Sequence, residues 1–261
     1  MSICQTLLNP MEVKMRRPLA IMTVVLFVCF PMTSFAEWVL YDNFNSGVIN
    51  PNKWDQDTSG LADPIVVENG AAKFVQDLGI INDSSWLKFK KFPEKVKAVR
   101  ARVKIASNQI NVFCRIGGYI GEDEDGNPLW SQIRLRSYKN DTDDFYQTVE
   151  FTASYMDAND TNVTLHDLAT GGFKKPLSGT YEVPDDLTGE WVTLEIHFNR
   201  KALTYGVVNM NNWITSSIAD EEVKKTTNPD FIFKGIGVRA VSTAVPGQTC
   251  TVYFDNVWVL Y

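Results

Sequence analysis

The sequence predicts an all-β protein built as two stacked antiparallel sheets, and three observations carry that expectation. Alternation with a period of two runs from end to end, while helical periodicity is nearly absent. Turn signals punctuate the chain at Asn69-Gly70, Asp125-Gly126-Asn127-Pro128, Asn140-Asp141, Asn159-Asp160 and Pro246-Gly247. The segments 38–54 and 252–261 each read as a strand with an acidic or amide corner and a tryptophan close by, so the two ends are expected to lie side by side. A sheet with one face in a core gives this pattern, because successive side chains point to opposite faces. A closed barrel with a polar lumen is the competing architecture.

Taken in order, 38–54 opens the fold, and 71–75 and 86–90 are short strands beyond Asn69-Gly70. In 99–105, Val99, Ala101, Val103 and Ile105 share one face while Arg100, Arg102 and Lys104 share the other. A strand follows at 110–120. Between 130 and 138, Ile133 and Leu135 are expected inside, with Trp130, Gln132, Arg134, Arg136 and Tyr138 outside. In 145–155 the inward set is Phe145, Val149, Phe151, Ala153 and Tyr155, and Tyr146, Thr148, Glu150, Thr152 and Ser154 face out. After a short strand at 162–166, the stretch 191–199 turns Val192, Leu194, Ile196 and Phe198 inward and Thr193, Glu195, His197 and Asn199 outward. Strands at 202–208, 231–240 and 249–260 complete the set, and one short helix is expected near Ile218 to Lys225. About a dozen strands spaced as a meander argue for two packed sheets.

Residues 1–36 read as a secretory signal: Lys14, Arg16 and Arg17, an apolar run from Leu19 to Phe30, then Ser34-Phe35-Ala36 before a cleavage ahead of Glu37. The run is shorter than the ~20 residues that span a bilayer. Met15 offers a more ordinary start than Met1. Export to the periplasm or the exterior is therefore expected, with 37–261 as a single sandwich domain and no membrane span. The leader carries Glu12 and those three basic residues, so the 25 basic and 31 acidic residues become 22 and 30, a net charge of −8. Such a chain is a poor non-specific partner for nucleic acid. Two of the 4 cysteines, Cys114 and Cys250, remain in the mature chain, where either a disulfide or two buried thiols would suit. Neither has a second cysteine or a histidine at metal-ligand spacing.

The candidate chemistry lies on outward faces. Sugars present flat C–H faces and hydroxyls, which proteins meet with aromatic platforms beside amide, carboxylate and guanidinium groups. Trp130, Gln132, Arg134, Arg136 and Tyr138 have that chemistry, and Tyr146, Thr148 and Glu150 extend it onto the next strand. Cross-strand pairing is the plainer reading of the same residues. Glu150 and Glu195 are the one pair of glutamates on separate strands that suits acid and nucleophile roles, provided both face one groove. His166 and His197 are too few and too isolated for a zinc site, and no G-x-S-x-G elbow occurs. Asp157, Asn159, Asp160 and Asn162 form an oxygen-rich turn without the order of a calcium loop.

The opening Asp42, Phe44, Gly47, Ile49 and Trp54 resembles the D-x-F-x-x-G-x-I-x-x-x-x-W start of concanavalin A-like jelly rolls, with slightly altered spacing. The last strand, Tyr253-Phe254-Asp255-Asn256-Val257, and the hairpin 187–213 resemble the same superfamily of lectins, laminin-G-like domains and glucanases. The resemblance implies a jelly-roll sandwich and, by analogy with the glucanases, a structural calcium ion held by Asp255 with carbonyls near Asn43 and Asn69. A strand corner capped by Asp255 and Asn256 is the alternative. The glucanases' E-x-D-x-E or E-x-D-x-x-E run, three acids on one strand face, does not occur. Glu122-Asp123-Glu124-Asp125 directly precedes a turn and reads as a hairpin tip. The expectation is a secreted, non-catalytic protein that binds a glycan or cell-envelope polysaccharide. A polysaccharide hydrolase or lyase, and an envelope structural or adhesion protein, are the alternatives.

Overall fold

The computed structural model describes residues 37–80, 84–106, 112–122, 126–139, 145–156, 162–164, 178–182, 189–199, 202–207, 212–217, 225, 232–240 and 247–261. For 138–139, 145–156, 162–164, 178–182, 202 and 212–217 the backbone alone is described. The strands are β1 (Trp38–Asp42), β2 (Trp54–Asp57), β3 (Val66–Glu68), β4 (Ala71–Asp77), β5 (Ser84–Phe89), β6 (Ala98–Ile105), β7 (Val112–Glu122) and β8 (Pro128–Lys139). They continue as β9 (Phe145–Met156), β10 (Asn162–Thr164), β11 (Ser178–Glu182), β12 (Val192–Phe198), β13 (Ala202–Val207), β14 (Asn212–Ser217), β15 (Lys234–Ala240) and β16 (Thr249–Leu260). The leader, the 123–125 tip, the 157–160 turn, His166 and all of the expected helix but Lys225 lie outside the described residues. No helix among the described residues is long and apolar enough to cross a membrane.

Two 8-stranded sheets result. The first runs β14-β13-β12-β6-β16-β4-β3 with β1 beside β16, and the second runs β10-β9-β8-β7-β15-β5-β2 with β11 beside β9. The architecture is a sandwich of two open sheets, not a closed barrel. The two ends of the domain do pair: Trp38 lies opposite Leu260 and Val39 opposite Val259 in an antiparallel ladder. β1 and β4 share one flank of β16, while β6 runs along the other.

The alternation read from sequence sets the core. Val99, Ala101, Val103 and Ile105 from the first sheet meet Val112, Cys114, Ile116, Ile133 and Leu135 from the second. Ile133, Leu135, Val192 and Leu194 are at most 1% exposed. Burying each such side chain is worth roughly 1.5–3 kcal/mol, which makes a register slip expensive. One polar bridge crosses the core: Ser131 Oγ lies 2.7 Å from the Tyr205 hydroxyl. Burial raises the Tyr205 phenol's pKa.

The D-x-F…W opening has a mechanical role. Asp42 is buried, accepts the Phe44 N–H at 3.0 Å and accepts the Trp54 indole N–H at 2.8 Å. Phe44 adopts a φ of 53°, a left-handed conformation rare outside glycine, so the carboxylate holds a strained corner in place. Phe44, Tyr41 and Phe89 then pack around the Trp54 indole at centroid distances of 4.8 to 5.9 Å along the cluster.

Cys114 and Cys250 are buried, one in each sheet, and no disulfide joins them; of the two options the sequence left open, the structure has the buried thiols. The Cys114 thiol instead donates to the Leu135 carbonyl at 3.7 Å, and burial pushes its pKa up to about 12.

Candidate functional site

The outer face of the second sheet gathers most of the side chains named for binding. Cross-strand register aligns one row across the sheet: Asp57, Trp86, Gly237, Arg115, Arg134, Glu150 and Thr180. A neighbouring row contains Lys88, Gly235, Gly117, Gln132 and Thr152. Each residue in a row shares its face with the others because pairing preserves the pleat.

Two glycines make room for the aromatic floor. A Cβ on Gly117 would lie 2.5 Å from Trp130 Cζ2, and one on Gly237 would lie 2.6 Å from Trp86 Cε3. Both indoles therefore lie across positions that carry no side chain. Trp86, Tyr119, Trp130 and Phe233 interlock around them, with ring centroids 5.1 to 5.6 Å apart and mostly edge to face. Trp86 is buried at the bottom; Tyr119, Trp130 and Phe233 remain partly exposed.

Guanidinium groups border this floor. Arg115 stands 3.9 Å over the Trp86 ring and donates from NH1 to Gln132 Oε1 at 3.3 Å. Arg134 lies 4.6 Å over Phe113, and Arg239 is adjacent in register to Phe113. Burial first, then the charges of Arg239 and Arg134, push the Arg115 pKa well below its ordinary value. An arginine–aromatic–amide surface of this kind offers flat apolar contact and directional donors together.

Trp130, Gln132, Arg134 and Arg136 thus fall on the face expected of them. Tyr138 and Tyr146 are paired opposite each other at its far end, with only their backbones described. Sequence reasoning missed Trp86, Arg115, Tyr119 and Phe233. The alternation Phe113, Arg115, Gly117, Tyr119 against Val112, Cys114, Ile116 was available to find two of them; Trp86 and Phe233 had no comparable signal.

The two glutamates considered as an acid pair do not share a face. Glu150 belongs to β9 in the second sheet and Glu195 to β12 in the first, and the outer faces of stacked sheets point apart. Glu195 is also sealed, at 3% exposure. Its Oε1 lies 2.6 Å from His197 Nε2 and its Oε2 accepts the Arg100 Nε–H. Trp38 covers the cluster, edge-on to His197 and 4.6 Å from the Arg100 guanidinium. His197 thus pairs with Glu195 on its own strand of the first sheet, under the edge of Trp38.

The fold resemblance implies a calcium ion at the Asp255 corner. Turn 69–70 does approach segment 43–45, since a Cβ on Gly70 would lie 3.0 Å from Asn45 Oδ1. Asp255, however, is already engaged: Arg102 NH1 lies 3.2 Å from Oδ2, and Asn256 donates its backbone N–H and its amide to the same carboxylate. Asn43 Oδ1 accepts the Asn45 N–H at 3.2 Å. Burial raises the Asp255 pKa, against the opposing pull of Asn256 and Arg102. A hard dication here would have to displace a guanidinium from Asp255. The residues present do not fit the ion; Arg102 fills the cationic place.

No family model and no curated protein matches the sequence. Solved structures do resemble the fold. A κ-carrageenase from Pseudoalteromonas carrageenovora, in complex with an oligotetrasaccharide of κ-carrageenan, aligns over 89% of this chain and 100% of its own at 12% identity with a TM-score of 0.53. A structure described under endo-acting O-glycanases of the human gut microbiota aligns over 86% and 90% at 12% identity with a TM-score of 0.54. A κ-carrageenase from Zobellia galactanivorans aligns over 87% and 96% at 11% identity with a TM-score of 0.50. The chain has the concanavalin A-like jelly-roll fold. At these identities the likeness extends to fold and no further.

Proposed function

We propose that this is an exported glycan-binding protein that holds a polysaccharide on the outer face of its second sheet without cleaving it. The observation that carries the reading is the half-exposed aromatic floor of Trp130, Tyr119 and Phe233 bordered by Gln132 and the arginines. Partly exposed aromatic rings suit the C–H faces of sugars, and the amide and guanidinium donors beside them suit their hydroxyls and other substituents. The fold neighbours described above include proteins whose substrates are polysaccharides, which agrees with the reading.

The non-catalytic part rests on the carboxylates. The glucanase triplet of acids is missing from the sequence, and Asp57, which shares the row with Trp86, is tied to Lys88 at 3.3 Å. The hydrolase or lyase reading keeps one supporting observation, the position of Glu150 opposite Arg134 in the same row. Screening residues 37–261 against a broad glycan array, with product release assayed on every polymer bound, separates the two. Binding without new reducing or unsaturated ends is expected. Binding to nothing discards the function, and product release lost in Glu150→Gln replaces it with the catalytic one.

A further inference from the structure

Arg115 is a charged side chain only 5% exposed, and its Nε–H has no hydrogen-bond partner among the described residues. Among the described residues its acceptor is the neutral Gln132 amide, and no carboxylate there forms an ion pair with it. The Trp86 face at 3.9 Å eases the burial but cannot accept the in-plane N–H. Arginine does not escape by losing its proton under ordinary conditions, so the charge is buried and kept. Guanidiniums outnumber carboxylates around it: Arg134 sits directly opposite on β8, with Glu150 next in the row on β9, and Arg239 lies on the same face of β15 beside Phe113. Electrostatic repulsion from both arginines is what, after burial, depresses the Arg115 pKa. This concentration of positive potential belongs to a chain whose overall charge is negative, at −6 for the full sequence. Net charge governs non-specific attraction, whereas a local cluster in a low-dielectric setting selects one group at one place.

We propose that the glycan held on this face is anionic, and that Arg134 and Arg239, above the buried charge of Arg115, receive a carboxylate or sulfate ester carried by a sugar ring lying on the Trp130 and Tyr119 floor. The proposal rests on the glycan-binding reading of the same face and specifies its ligand class. Planar guanidinium forks match the paired oxygens of both substituents. The buried Arg115 supplies a fixed potential that needs no reorganisation on binding. An uncompensated buried charge is also destabilising until the anion arrives, so the site is set against the stability of the free protein.

The test measures the affinity of residues 37–261 for three polymers by titration calorimetry at low and moderate salt: a polyuronate, a sulfated galactan and a neutral β-glucan. One charged polymer is expected to bind at least tenfold more tightly than the neutral one, with affinity falling as salt rises, and its identity tells carboxylate from sulfate. Arg134→Gln and Arg239→Gln are expected to weaken that binding about tenfold while leaving the fold intact. Arg115→Met is expected to weaken binding without lowering the melting temperature, which an arginine kept for structure would lower. A neutral glucan bound as tightly as the charged polymers, insensitive to salt and to both Gln variants, overturns the proposal and leaves the glycan-binding reading standing. Failure to bind any polymer overturns both. Should Arg115→Met not fold, the two surface variants and the salt dependence decide alone.

Discussion

Replacing Gly117 with alanine perturbs the proposed platform while leaving every other contact in place. The new Cβ would lie 2.5 Å from Trp130 Cζ2, 3.1 Å from Gln132 Cβ and 3.2 Å from Trp130 Cε2, where ordinary contact begins near 3.4 Å. The indole edge must therefore retreat by about 1 Å. Trp130 is partly exposed, so the ring gives way before the strand does, and it takes Tyr119 and Phe233 with it, 5.1 and 5.3 Å away by centroid. Overpacking of this sort runs to about 1–3 kcal/mol, and with one side open the low end applies. A loss of about 1 kcal/mol corresponds to roughly 2–4 °C in melting temperature for a domain of this size. Binding should fall further, about tenfold or about 1.4 kcal/mol, because the displaced ring is the contact surface itself. Gly237→Ala is the matched control: its Cβ would lie 2.5 Å from the Ser85 carbonyl oxygen, backbone of the neighbouring strand, which cannot step aside. That variant should lose about 3 kcal/mol or more. Calorimetric melting and a titration with the bound glycan read both quantities. Wild-type affinity in Gly117→Ala refutes the pinned-platform argument, and a mild Gly237→Ala refutes the contrast between movable ring and fixed strand.

Asp42→Ala should cost about 3–5 kcal/mol by urea unfolding, because it strands the buried Trp54 indole N–H and releases Phe44 from its left-handed corner; a loss under about 1 kcal/mol contradicts the role given to the opening motif. Alkaline stability carries the Cys114 signature. The folded thiol titrates near 12 against an ordinary value of 9.0, so its contribution is whole below pH 9 and is lost as pH rises towards 12. Between pH 9 and 10 it accounts for about 1 kcal/mol of decline, and Cys114→Val should flatten the urea midpoint over that interval; an unchanged slope would show the thiol is not the group responsible. A calcium chelator should leave the melting temperature unmoved within about 1 °C, while Arg102→Gln lowers stability by about 1 kcal/mol, since its pair with Asp255 is partly solvated. A chelator-dependent fall in melting temperature would reject the arginine-closed corner.

The faces of β6, β8 and β12 were legible because each buries one side only. Val99 through Ile105, Ile133 with Leu135, and Val192 through Phe198 all turn inward as the alternation requires. The meeting of the termini was legible too, since Trp38 and Leu260 lie in matching strand patterns. β7 was harder, for its outer residues are buried as well, Phe113 under the Arg134 guanidinium and Arg115 and Gly117 against indole rings, so both of its faces look internal. Glu150 and Glu195 could not be sorted by pattern, because alternation tells inside from outside but not one sheet from the other. The same limit left the cysteines open between a disulfide and two buried thiols. Trp86 gains its meaning only from Gly237 alongside it, a neighbour about 150 residues away in sequence, brought there by β-pairing.

The most direct test of the account compares two tryptophans on opposite outer faces. Trp130 belongs to the aromatic floor of the second sheet, whereas Trp191 stacks with Arg102 and Lys104 on the first. Affinity for the glycan identified on the array is measured for Trp130→Ala and Trp191→Ala, each checked for an intact fold. At least a tenfold loss with Trp130→Ala, and wild-type affinity with Trp191→Ala, is the predicted result. Loss with Trp191→Ala and none with Trp130→Ala would place the ligand on the wrong sheet for everything argued about this surface.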